Sequence, residues 1–156
     1  MADLDLFSDL NPQQISAVKH YLGPALVVAG PGSGKTKVLT HRIAHLIENH
    51  KVSETSILCV TFTNKAAAEI KTRVSTLLRG ISKNVTWSGT FHSICSRILR
   101  IDGKEIGIPN TFVIYDTDDQ VSVIKGIIKD FGIDNKKFNP RSVLETISSA
   151  KSELIN

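Results

Sequence analysis

Gly30, Gly32 and Gly34 alternate through the segment Ala29, Gly30, Pro31, Gly32, Ser33, Gly34, and Lys35 and Thr36 come directly after it. Glycines carry no Cβ, so successive backbone N–H groups can turn inward and form a cradle for phosphate oxygens. A helix opening near Gly34 would add the positive end of its dipole. Lys35 would then reach the β and γ phosphates of a triphosphate, and the Thr36 hydroxyl would bind Mg²⁺. The usual pattern has glycine where Ala29 stands; Gly34, Lys35 and Thr36 match it. A glycine-rich turn without a ligand would not need Lys35 and Thr36 side by side. Ala29 to Thr36 is therefore expected to hold a nucleoside triphosphate with Mg²⁺.

The flanking elements suit that chemistry. Asn11 and Pro12 supply a cap and a first-turn proline for a helix to about Tyr21, which Gly23 and Pro24 end. Ala25 to Ala29 is a short apolar run that reads as a buried strand, and the glycine loop joins it to a helix from Gly34 to about Asn49. Leu39, Ile43, Leu46 and Ile47 share one face of that helix. The pattern repeats with a strand at Ile57 to Phe62 and a helix at Lys65 to Leu78, whose face carries Ala66, Ile70, Val74, Leu77 and Leu78. Further strands are expected at Val85 to Ser88 and Phe112 to Tyr115, and further helices at His92 to Ile101, Val121 to Phe131 and Pro140 to Asn156. Alternating strands and helices predict an α/β domain with a mostly parallel sheet, whose ligands gather at the strand C-termini.

Composition narrows the class. With 41% hydrophobic and 22% charged residues the chain reads as globular, and no apolar run approaches a membrane span. The acidic start, MADLDLFSDL, lacks the charge pattern of a secretory signal, so a cytoplasmic location is expected. Cys59 and Cys95 have no partners at metal-ligand spacing and read as reduced core thiols. Charge is uneven: residues 64–104 hold eight basic and two acidic side chains, a segment of +6 within a chain of +4. Such a stripe suits a polyanion, although Lys-rich and Arg-rich helix faces are often only solvated.

Other residues must say which phosphate-loop protein this is. A GTPase would continue Asn64-Lys65 to an Asp, where Ala67 stands. A small-metabolite kinase would need an arginine-rich lid, and residues 105–156 contain only Arg141. The segments LNPQQ (Leu10 to Gln14), VVAGPGSGKTKVLTHRI (Val27 to Ile43), VTFTNKAAAEI (Val60 to Ile70) and GTFHSICSRIL (Gly89 to Leu99) resemble, in order and spacing, the first motifs of the UvrD/Rep/PcrA family of superfamily 1 DNA helicases. Ile114 to Asp130 and Pro140 to Lys151 are similar to the next segments of that family.

The resemblance implies a RecA-like phosphate-loop fold, a parallel sheet flanked by helices, over residues 1–115, and the start of a helical insertion domain over 116–156. It implies ATP and Mg²⁺ as ligands, with Lys35 and Thr36 as catalytic groups and Thr36 on the metal. Gln14 matches the glutamine that reads adenine, though a plain polar helix residue is the alternative. Lys37 falls where the family commonly has an arginine near the nucleotide. Phe62, Thr63 and Asn64 match one segment that contacts single-stranded DNA, and Thr90, Phe91 and His92 match another. Aromatic rings at a strand edge can stack on unpaired bases while the polar groups reach phosphates; without the resemblance, both phenylalanines would read as core.

Asp116 closes an apolar run, as a magnesium-binding carboxylate would, yet it also stands where a helix N-cap belongs, with Asp118 and Asp119 behind it. The cap is the expected role. The family's acidic pair comes after the helical insertion, so the chain is expected to be the N-terminal part of a 3′ to 5′ helicase acting on single strands and duplex junctions. Its second motor domain would lie in the rest of the helicase chain. A standalone nucleotide-responsive single-strand-binding module is the alternative from a different class.

Overall fold

A computed structural model describes residues 5–80, 85–133 and 138–155. Asn11 starts the first helix, α1 (Pro12–Lys19), through a capping box: its Oδ1 accepts from the Gln14 N–H, and Gln14 Oε1 accepts from the Asn11 N–H. Next come α2 (Lys35–Glu48), β1 (Leu58–Thr61), α3 (Asn64–Leu77), β2 (Trp87–Thr90) and α4 (Phe91–Asp102). Two more helices, α5 (Thr117–Asp130) and α6 (Pro140–Ser152), lie after residue 110. The chain divides into two compact units, residues 1–110 and 111–156.

In the first unit β1 and β2 form a two-stranded parallel sheet in the register Leu58↔Trp87 through Thr61↔Thr90. The link between them runs through α3, the crossover that a parallel pair requires. Ile70, Val74 and Leu78 lie on one stripe of α3 and are buried with Ile43 and Ala44 of α2, Ile57, Cys59 and Val85. Each of the valine, leucine and isoleucine side chains contributes about 1.5–3 kcal/mol on leaving water. Leu6, ahead of α1, enters the same core, and its carbonyl lies 2.7 Å from Nδ1 of buried His41. The second unit is built on α5 and α6, with Val121 and Ile128 buried.

The chain is thus α/β, as expected, but with fewer strands. Among the described residues no ladder forms at Ala25 to Ala29 or at Phe112 to Tyr115. Leu26 and Val28 are 90% and 86% exposed rather than buried. An apolar run signals extended backbone, but a strand also needs a hydrogen-bonded neighbour, and β1 and β2 pair with each other. The strand expected at Val85 to Ser88 forms two residues later, at Trp87–Thr90, because its pairing with β1 sets its limits. The helix expected from Val121 begins at Thr117, where Asp116 accepts from the Asp119 N–H at 2.8 Å. The helix expected to reach Asn156 has its C-cap at Glu153, and Asn156 itself lies outside the described residues. Among the described residues no helix is long and apolar enough to cross a membrane.

Candidate functional site

The glycine loop runs straight into α2. Gly32 and Gly34 have φ of 75° and 84°, the left-handed region that a residue without Cβ enters at little cost. Gly34 is the N-cap of α2 and brings no side-chain hydrogen bond to the helix start. The N–H groups of the first turn are thus left without a side-chain acceptor, the condition in which a helix N-terminus attracts an anion. Lys35 folds over the loop, with Nζ donating to the carbonyls of Ala29 at 3.0 Å and Gly30 at 2.7 Å. Ser33 closes the turn by donating from Oγ to the Gly30 carbonyl at 2.8 Å. Thr36, the second residue of α2, is exposed, as is Pro31. This arrangement fits a Mg²⁺-bound triphosphate. The Lys35 ammonium group sits within the loop's curve on neutral carbonyls, and a phosphate would bind that group more strongly.

Three polar ties hold α1 and the segment before it against the loop and α2. Gln14 Nε2 donates to the Ser33 carbonyl at 3.0 Å. Lys37 Nζ donates to the Asp9 carbonyl at 2.5 Å, so this side chain secures the segment ahead of α1. Arg42 Nη1 donates to the carbonyl of Ala17 at 3.1 Å and to that of His20. Arg42 gave no signal in the sequence, since an arginine on a helix does not indicate which carbonyls it will meet. Between α1 and the loop lies a recess lined by apolar Ala17, Val27, Ala29 and Val38 and by polar Gln14 and Lys35.

The second group of residues gathers at the C-terminal end of the sheet. Thr61 and Thr90 are register partners, so Phe62 and Phe91 each follow the last paired residue of adjacent strands. Phe62 is fully exposed and Phe91 is 63% exposed, so neither ring belongs to the core. Thr63 caps α3 by accepting from the Ala66 N–H at 3.2 Å, and Thr90 caps α4 by accepting from the Ser93 N–H at 3.3 Å. Asn64 and His92 are exposed beside them. The strand pairing thus brings the two expected DNA segments to one edge.

Three of the four arginines of the basic stripe are engaged within the protein. Arg73 pairs with Glu69 at 2.6 Å, Arg97 stacks over Trp87 at 4.5 Å and donates to the Thr86 carbonyl, and Arg100 donates to the Asn110 carbonyl. Lys65 is exposed next to Asn64, and Lys83 lies outside the described residues. Among the described residues no cluster of His, Cys, Asp and Glu is arranged to hold a metal ion by itself. Asp116 acts as the α5 cap. Burial pushes the thiol of Cys59, in β1, upward from its ordinary pKa.

The family described as UvrD/REP helicase N-terminal domain matches residues 10–156. The chain is 58% identical over 149 residues to the ATP-dependent DNA helicase PcrA of Bacillus subtilis, a match covering 96% of this chain and 20% of that protein. It is 52% identical to PcrA of Staphylococcus aureus and 51% identical to PcrA of Staphylococcus epidermidis, each over 149 residues. The chain spans about a fifth of the length of these curated relatives.

Proposed function

This chain belongs to the UvrD/REP helicase N-terminal domain family, and from that premise we propose that it is the ATP-binding and single-strand-binding part of an ATP-dependent 3′ to 5′ DNA helicase. The fold implied is RecA-like, and the working location is the cytoplasm. The observation that carries the nucleotide reading is the uncapped start of α2 behind two left-handed glycines, with Lys35 Nζ folded over the same loop.

In this reading Gly30 to Gly34 present backbone N–H groups to the phosphates, Lys35 pairs with the β and γ oxygens, and Thr36 holds Mg²⁺. Mg²⁺ supplies neutralisation of the charge that develops on the transferring phosphoryl group. The recess between α1 and the loop takes the base, with Gln14 at its rim. Phe62 and Phe91 stack on unpaired bases, while Thr63, Asn64, Thr90 and His92 line the path of the strand. Sequence-tolerant stacking suits a motor that must move along any sequence.

Titration with Mg·ATP and with fluorescent oligonucleotides tests both halves. The chain is expected to bind each, to prefer single strands to duplex, and by itself to leave duplex DNA closed. DNA-stimulated ATP turnover and unwinding by this chain alone would overturn its assignment as one part of the motor. Failure to bind either ligand would overturn the site.

A further inference from the structure

Both ends of the Gln14 amide are engaged. Its Oε1 accepts from the Asn11 N–H at 3.0 Å, and its Nε2 donates to the Ser33 carbonyl at 3.0 Å. The approach is close: a Cβ added to Gly34 would lie 2.9 Å from Gln14 Nε2. The Ser33 carbonyl and the Gly34 N–H belong to one planar, trans peptide unit, so they point in opposite directions. Gly34, at φ 84°, has the freedom to let that unit flip. A donor on the Ser33 carbonyl opposes the flip. It therefore keeps the Gly34 N–H turned away from α1, at the start of α2. The same residue links onward, because Ser33 Oγ donates to the Gly30 carbonyl, which also accepts from Lys35 Nζ.

Resting on the nucleotide reading above, we propose that Gln14 is a positioning residue of the phosphate loop, which holds the Ser33–Gly34 peptide in its phosphate-binding orientation whether or not a base is present. A base contact alone acts only on ligands that carry a base. The peptide lock acts on the phosphates themselves.

Inorganic tripolyphosphate separates the two, because it offers the phosphates without the base. Gln14→Met keeps the length of the side chain and removes both hydrogen bonds. Asn11→Ala removes the Asn11 side-chain cap but leaves the backbone N–H that Gln14 accepts from and the tie to Ser33. Affinities of the protein for Mg·ATP and for Mg·tripolyphosphate are measured by calorimetry, with thermal melting alongside. Gln14→Met is expected to weaken tripolyphosphate by about 2- to 10-fold, the value of one neutral hydrogen bond. Asn11→Ala is expected to lower the melting temperature while leaving tripolyphosphate affinity close to that of the unaltered protein. Gln14→Met that weakens Mg·ATP but not tripolyphosphate would overturn the proposal in favour of a base contact alone. Equal losses of tripolyphosphate affinity in both variants would overturn it in favour of helix capping. If the unaltered protein bound neither ligand, the nucleotide reading itself would fail, and the lock with it.

Discussion

The phosphate loop and the Phe62/Phe91 edge both sit where a helix begins, yet their helix starts are treated in opposite ways. At α3 and α4 a threonine hydroxyl accepts from the backbone N–H three residues on, and a paired strand stands directly behind. At α2 the cap is a glycine without a side chain, and the preceding segment has no ladder. A capped helix start has used a donor that an anion would need, so under the proposed reading the aromatic edge would meet nucleic acid through rings and polar side chains. An uncapped start keeps its donors for a ligand. Under the proposed reading one edge would take phosphates and the other the faces of bases.

Breaking one edge should spare the other. Lys35→Ala is expected to have the largest effect, lowering Mg·ATP affinity on the order of 10- to 100-fold through the loss of charged hydrogen bonds. Oligonucleotide affinity should stay as it was; a parallel loss measured by anisotropy would show that the two edges act as one site. Next in size, Phe62→Ala and Phe91→Ala each remove a stacking surface worth about 1–3 kcal/mol per base. Single-strand affinity should fall about 5- to 100-fold for each, with Mg·ATP binding unchanged. If removal of Lys65 matters and removal of either ring does not, charge rather than stacking holds the strand.

A smaller effect is expected on stability. Thr63→Ala removes the α3 cap at a cost of about 1 kcal/mol, visible as a lower urea midpoint. An unchanged midpoint would mean that the strand pairing alone holds that helix start. The smallest expectation concerns Cys59, whose raised pKa means that the folded state holds the thiol proton more tightly than the unfolded state. Its contribution is fully present below the unfolded thiol value of about 8.5 and is lost as pH rises through the higher folded value. Stability should therefore slope downward above about pH 8.5, and Cys59→Ser should flatten that slope. Buried Cys59 should also react with thiol reagents more slowly than half-buried Cys95.

Much of the helical framework was legible because its signals are local. Asn11-Pro12 and Asn139-Pro140 place the starts of α1 and α6, Gly34 places that of α2, and Asp116 takes the capping role its position suggested. Strands were less legible. Ala25 to Ala29 and Ile57 to Phe62 look alike as short apolar runs, but only the latter found a partner. Burial of His41 and His45 on α2 was also beyond a periodicity argument, because it depends on the Leu6 carbonyl and on Asn49 being placed to meet their ring nitrogens.

The amino-acid sequence by itself singled out the residues proposed for phosphate chemistry, and determined where most helices begin and which family the chain resembles. Those features depend on residue type and on spacing over a few positions. Tertiary structure decided the rest: that Phe62 and Phe91 follow the paired ends of adjacent strands, that Lys37 holds the Asp9 carbonyl, and that Gln14 reaches Ser33 across 19 positions of chain. Each of those depends on a meeting between segments distant in sequence, and no local pattern records which backbone groups will meet.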